Sequence, residues 1–269
     1  MTFGICLQSI AALRSEPSHR SEQVSQILFG ELFTIIVHDK DWVRVRLSYD
    51  NYEGWVHRKQ VTELSESEFL RLLNTDTPTC TDLVQLLSNE TAGTVIPLLL
   101  GSSLPGLHDG KFIIQGQTYL YDGAYSFRST RELMMPNSER IKIKQELVKE
   151  AMIYLNAPYF WGGRSPFGID CSGLTQMIYK MKQVRILRDA SQQSSIGEPL
   201  GFVSEAEPGD LAFFDDEEGL ITHVGMIIDK QNILHASGKV RIDKIDHEGI
   251  YNEEEQRYTH KLRIIKRIL

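Results

Sequence analysis

The segment Trp161-Gly-Gly-Arg-Ser-Pro-Phe-Gly-Ile-Asp-Cys-Ser-Gly173 constrains this chain more than any other, because it delivers a thiol to the start of a helix. Behind it, Leu174, Met177, Ile178 and Met181 recur at spacings of three and four, which predicts a helix with one buried stripe beginning near Cys171. Gly162, Gly163, Ser165, Pro166 and Gly168 make the approach a turn-rich loop, and Asp170 stands where an N-cap is required. Gly173 permits close approach of another chain segment. A free thiol ionises near pH 8.5, and the partial positive charge at a helix N-terminus favours the thiolate, so the position predicts a sulfur more reactive than usual at neutral pH.

A nucleophilic thiol needs a base, and two histidines downstream are candidates: Ile221-Thr-His223-Val-Gly-Met-Ile-Ile228 and Ile233-Leu-His235-Ala-Ser237. Both runs read as strands, joined by the polar Asp229-Lys-Gln-Asn232, which predicts a hairpin with one histidine on each strand. A ladder centred on Asp229 sets the two imidazoles on one face, whereas a two-residue turn at Lys230-Gln231 sends them to opposite faces. Both registers are open at this point, and catalysis needs an odd loop or a bulge. In that case His223 takes the thiol proton and returns it to the leaving amine, while His235 orients its ring.

By default, a cysteine on an apolar helix face is a small core residue and a strand histidine a structural one. The Gly-rich entry and the second histidine turn both readings toward catalysis. A zinc site built from Cys171, His223 and His235 is the competing chemistry. Cys6 and Cys80 lack the close-spaced partners that structural zinc sites use, so no metal and no cofactor are expected.

Asp170-Cys-Ser-Gly173, Pro208-Gly-Asp-Leu-Ala-Phe-Phe214, His223-Val-Gly225 and His235-Ala-Ser237 together resemble the NlpC family of bacterial papain-like cysteine peptidases, over roughly residues 141–269. The resemblance implies an α+β papain-like domain that cleaves peptide bonds in cell-wall peptides through a Cys-His-His or similar triad. Carried onto this chain, Cys171 is the nucleophile, His223 the base and His235 the orienting residue. Trp161, Tyr159 and Ser172 are expected along the substrate groove, and amides at Cys171 and its neighbours around the oxyanion.

Upstream, residues 1–62 hold short β-rich runs such as Leu32-Phe-Thr-Ile-Ile-Val37 and Trp42-Val-Arg-Val-Arg46, separated by turn-prone Asp39-Lys-Asp41 and Tyr49-Asp-Asn51. Ala11-Ala-Leu-Arg-Ser-Glu-Pro17, Gly30-Glu31, Asp41-Trp42 and Gly54-Trp-Val56 resemble the bacterial SH3 domain, a small β-barrel. Residues 63–140 read as a helical linker, with helices at Glu63 to Leu73 and Thr81 to Leu87, followed by a second, degenerate SH3-like barrel around 90–130. The expected architecture is therefore two small barrels before a peptidase domain at 141–269.

A net charge of −7 argues against broad binding to nucleic acid or anionic membrane. No run approaches the roughly 18 apolar residues of a membrane span. Met1 to Leu13 reads as a first strand rather than a leader, and three scattered cysteines fit a reducing compartment. These features lead to a cytoplasmic monomer as the expectation, with a secreted form left open.

A cytoplasmic enzyme of this kind meets small peptides released from the wall. SH3-like modules ahead of an NlpC-type domain, with Arg188-Asp189-Ala-Ser-Gln-Gln193, resemble the γ-D-glutamyl-L-diamino-acid endopeptidases acting on murein peptides with a free N-terminal L-alanine. That resemblance implies that Asp189 binds the substrate ammonium, with contributions from Tyr52 and Glu16 of the first barrel. An ammonium leaving water needs carboxylate partners, and a glycan-linked peptide presents an amide there instead. Ala190 departs from the serine frequent in that subgroup and removes one substrate hydrogen bond. The run Asp215-Asp-Glu-Glu218 reads as a solvated loop, and His247 and His260 as surface residues. The competing functions are a wall-binding protein with a vestigial peptidase domain and a secreted wall-remodelling hydrolase.

Overall fold

The computed structural model of the protein describes residues 2–127 and 137–269, with side chains from 142 onward in the second stretch. Two compact units divide it, Met1–Thr130 and Arg131–Leu269.

Turn-separated, alternating runs produce the strands of the first unit. These are β1 (Thr2–Ile5), β2 (Ile10–Arg14), β3 (Gln23–Leu28), β4 (Leu32–Asp39), β5 (Trp42–Leu47), β6 (Glu53–His57) and β7 (Thr62–Leu64), in the sheet order β3-β2-β6-β5-β4-β1-β7. Alternation along β5 buries Val43, Val45 and Leu47 and turns Arg44 and Arg46 outward. Leu13, Ile27, Phe33 and Val56 complete that core. Helix α1 (Glu66–Leu73) follows, capped by Ser65, whose side chain accepts from the Glu68 amide.

Beyond α1 come β8 (Thr79–Cys80), β9 (Val84–Asn89), β10 (Thr94–Leu99), β11 (Lys111–Ile114), β12 (Gln117–Leu120) and β13 (Tyr125–Ser126). They form a four-stranded sheet, β10-β9-β12-β11, and a separate β13-β8 pair. The helix expected at Thr81 to Leu87 is thus largely a strand. The leucines there suggest helical spacing, but pairing of Val84–Asn89 with Thr94–Leu99 imposes period two. The two modules expected as separate barrels share one core: Ile5 and Phe29 of the first, Phe69 and Leu72 of α1, and Leu87, Phe112 and Tyr119 of the second. The boundary expected at 140/141 follows residues 128–136, which lie outside those described.

The second unit opens with α2 (Asn137–Ala151) and the small hairpin β14 (Arg164–Ser165) and β15 (Gly168–Ile169), then α3 (Cys171–Met181) and α4 (Ala190–Gln193). Its sheet contains β16 (Glu198–Leu200), β17 (Leu211–Asp215), β18 (Ile221–Ile227), β19 (Asn232–Ser237), β20 (Lys239–Ile245), β21 (Gly249–Asn252) and β22 (Arg257–Arg267). The order is β16-β22-β17-β18-β19-β20-β21, and an additional β21–β22 pairing closes the sheet on itself. Long strand β22 makes the closure, pairing with β21 through Arg257–Lys261 and with β17 through Lys261–Lys266.

Every residue of α3 is buried, not the single stripe that its apolar spacing predicts. Its polar members are accordingly bonded: Thr175 donates to Gln193 Oε1 at 2.8 Å and the Gln176 amide to the Ile186 carbonyl at 3.3 Å. The helix packs against β18 and β19.

Between those strands, Gly225 stands opposite His235, and Ile227 opposite Ile233 closes a five-residue loop. The loop is odd, so His223 and His235 share a face, diagonal to one another. Gly225 is needed here: a Cβ would lie 2.7 Å from Ile233 Cδ1 and 2.9 Å from His235 Cβ. Gly225→Ala should destabilise the second unit by about 1–3 kcal/mol through overpacking, measured by urea unfolding with an unchanged m-value.

Candidate active site

The N-terminus of α3 is held by charge. The Asp170 carboxylate accepts from the amides of Gly173 at 2.6 Å and Gly162 at 2.9 Å, tying the approach loop to the first helical turn. Arg188, with a side chain only 1% exposed, grips it bidentately at 3.0 and 2.6 Å. A second hydrogen bond from Arg188 Nη1 reaches Ser172 Oγ at 2.8 Å. Ser172, expected in the substrate groove, therefore turns its hydroxyl into this buried cluster. Gly173 lets the loop close, since a Cβ there would lie 2.2 Å from the Gly163 carbonyl oxygen.

Cys171 is thereby fixed beside β18. Its sulfur receives the backbone N–H groups of Val224, the residue after His223, and of Ser172. The Val224 amide is available because β18 pairs with β19 only from Gly225 onward. Burial is the dominant influence on the thiol and pushes it up to about 12, reinforced by the Asp170 charge, against the lowering effect of these amides and of Arg188. The helix position alone predicted a more acidic thiol, and desolvation reverses that expectation.

Strand parity places Phe214, His223, His235, Asp243 and His260 on the one face of the closed sheet, above the apolar residues Ile227, Ile233, Ile245 and Ile250. His223 Nε2 lies 2.9 Å from His235 Nδ1, and His235 Nε2 lies 2.9 Å from Asp243 Oδ2. An ionised carboxylate only accepts, so His235 carries its proton on Nε2 and offers the Nδ1 lone pair. His223 then donates from Nε2, which leaves its Nδ1 unprotonated and able to serve as a base. Burial, with the neighbouring His235 and His260, holds the His223 pKa well below the ordinary imidazole value, so the base is neutral at physiological pH. Although burial works against it, hydrogen bonds from His235 and Arg241 hold the Asp243 carboxyl below its usual range.

Asp243 and His260 are the site residues that sequence reasoning missed. Asp243 sits on β20 in an alternating run with no marker of its role, and His260 reaches the site only because β22 closes the sheet. His260 is half-buried and stacks on His223 with centroids 4.1 Å apart and planes at 25°, which corrects its reading as a surface residue. His223, His235 and His260 bring nitrogens within 4.8 Å of one another, close enough to consider a metal. Near-parallel stacking, however, directs the in-plane lone pairs of His223 and His260 side by side rather than toward a common point. The facing nitrogens of His223 and His235 are engaged with each other. The trio fits aromatic support of the base better than a ligand set.

Tyr159 is half-buried near the nucleophile; burial, then the charges of Cys171 and Asp170, push its hydroxyl up to about 12. Trp161 is 60% exposed. Asp189 is half-buried and N-caps α4, its backbone amide donating to Gln192 Oε1 at 3.1 Å, and Ala190 beside it is buried. Tyr52 and Glu16 belong to the first unit, where Tyr52 packs on the barrel core and Glu16 is exposed.

Residues 156–261 match the NlpC/P60 family, and residues 13–61 the bacterial dipeptidyl-peptidase Sh3 domain. The chain carries an NlpC/P60 cysteine-peptidase domain. One SH3 match stands where two barrels were expected, and the sheet of Val84–Leu120 falls outside it. Among curated relatives, a gamma-D-glutamyl-L-lysine dipeptidyl-peptidase of Bacillus cereus is 29% identical over 79% of this chain and 66% of its own length. Dipeptidyl-peptidase 6 of Lysinibacillus sphaericus is 28% identical over 90% of this chain and 91% of its own. A crystal structure of an NlpC/P60 family protein from Bacillus cereus has a TM-score of 0.80 at 22% identity, covering 99% of both chains, which establishes the shared fold.

A raised thiol pKa makes the thiolate scarce in the resting NlpC/P60 domain, and its fraction grows tenfold per pH unit up to about 12. Alkylation of Cys171 by iodoacetamide, followed by peptide mass spectrometry, should keep accelerating above pH 8.5 without a plateau. A preformed thiolate–imidazolium pair would instead give a flat rate through neutral pH.

Proposed function

We propose that this protein is a cysteine endopeptidase that hydrolyses the γ-D-glutamyl–diamino acid bond of murein-derived peptides bearing a free N-terminal L-alanine. The observation that carries the proposal is the continuous hydrogen-bond chain His223–His235–Asp243 beside the capped Cys171. A vestigial site retained only for wall binding has no need to keep such a chain bonded in its interior. The names of the relatives support the bond class, since two are gamma-D-glutamyl-L-lysine dipeptidyl-peptidases.

In the reaction, Sγ of Cys171 attacks the γ-carbonyl carbon as its proton passes to His223 Nδ1, so the charged pair forms only when it is needed. The electron pair of the carbonyl moves to oxygen, which the backbone N–H at the N-terminus of α3 stabilises. Collapse breaks the C–N bond, and His223 returns the proton to the departing amine. A water molecule, deprotonated by His223, then attacks the thioester; the γ-D-glutamyl carboxyl leaves and the thiol is restored. His235 and Asp243 hold the tautomer that makes the cycle possible.

Asp189 is the proposed partner of the substrate's terminal ammonium. Tyr159 and Trp161 stand on the loop leading to Cys171 and form one side of the substrate's approach.

The test compares L-Ala-γ-D-Glu-L-Lys with its N-acetylated form, using wild type, Cys171→Ala and Asp243→Asn. Wild type should cleave the free peptide and discriminate strongly against the acetylated one; Cys171→Ala should cleave neither. Asp243→Asn should lose on the order of 10²-fold in kcat with little change in KM, as expected when a base loses its orientation. Equal cleavage of both peptides would point to wall remodelling, and no Cys171-dependent cleavage to a binding protein.

A further inference from the structure

The strands that place His223 and His260 also form the wall of an open groove of about 770 Å³. His260, which stacks on the base, lines this groove, as does Thr222, the residue before the base, so the groove reaches the base through the His260 ring. Its charge is mainly negative: Asp215, Asp216, Glu217 and Glu248 face Lys261. Acidic side chains at a surface are ordinarily solvated, and Asp216 is already engaged by the amides of Glu218 and Leu220. Asp215 is different. Its side chain is only 5% exposed, and its Oδ1 is buried without a hydrogen-bond partner. The nearest cation, on the solvent-exposed Arg263, lies 3.7 Å from Oδ2. A buried carboxylate oxygen left without a donor is costly unless a cation arrives to meet it.

The reaction says which part of the substrate arrives there. His223 must hand its proton to the leaving nitrogen, so the residue that owns this nitrogen is seated against the imidazole. Its side chain then extends along Thr222 and His260 into the acidic groove. We propose that this groove is the subsite for the side-chain ammonium of the leaving diamino acid, with Asp215 as its ion partner. The inference rests on the peptidase reading above and adds a recognition element on the leaving-group side of the bond. The excess of carboxylates over the single Lys261 favours a side chain ending in a lone ammonium, as in lysine, over one that carries a carboxylate beside it.

The experiment measures kcat/KM for L-Ala-γ-D-Glu-L-Lys, its Nε-acetyl-lysine analogue and its norleucine analogue, at low and high salt. Wild type should prefer the lysine peptide by about 10-fold, mostly through KM, with the preference shrinking as salt rises. Asp215→Asn should bring the lysine and norleucine peptides to within about 2-fold of each other, and Glu248→Gln, a more conservative change at an exposed position, should reduce the ratio in part. Because the readout is a ratio within one variant, a general loss of activity does not imitate the effect. Cleavage of all three peptides with equal kcat/KM, or a ratio unchanged in both variants, would overturn this inference alone. Failure of wild type to cleave any of the three would overturn the peptidase reading and this inference with it.

Discussion

The buried pair between Arg188 and Asp170 is the contact on which the catalytic half of the chain depends. One carboxylate caps α3, holds the Gly162 amide of the approach loop and receives both arms of a guanidinium almost wholly removed from water. Such a pair contributes little net stability, because desolvation offsets much of the attraction. Its value lies in geometry. Losing either partner would strand a charge in the interior and release the helix turn that carries Cys171. The same arginine draws the Ser172 hydroxyl inward, so that the residue after the nucleophile serves the scaffold through its side chain and the sulfur through its amide.

Burial governs the chemistry as strongly as it governs the fold. Cys171 and His223 are each pushed toward the neutral form, the thiol upward and the imidazole downward, so the two do not form an ion pair with each other at rest. Proton transfer is then coupled to attack. His260 stacks on His223, and Phe214 meets both rings at an angle, so the base is supported on its face and its edge. The sheet achieves this by closing through β22, which returns a residue near the end of the chain to a strand that began at Ile221.

Much of this site was legible in the sequence, and the limits of legibility have physical causes. Asp170 as a cap, Gly173 as a point of close approach and Cys171 at the first turn follow from local rules, because capping is decided within a few residues. The hairpin histidines were legible up to the parity of the loop, which the five residues between Ile227 and Ile233 resolve. Asp243 and His260 were not. His260 joins the site through strands distant in sequence and Asp243 through the pairing of β19 with β20, and nothing in the local spelling marks either. The strand at Val84–Asn89 shows the reverse failure, where leucine spacing imitates a helix until the partner strand is known. The acidity of the thiol was misjudged for a related reason: a helix terminus is visible in sequence, and total burial is not.

The account turns on a neutral resting pair with the His223 proton on Nε2. Nitrogen-15 NMR of the imidazoles, titrated between about pH 5 and 8, reads this directly. The predicted result is a neutral His223 at pH 7, protonated on Nε2 alone, that becomes doubly protonated only well below the ordinary imidazole pKa of about 6.5. A doubly protonated His223 at pH 7, reverting to neutral in Cys171→Ala, would reveal a thiolate–imidazolium pair and contradict the account.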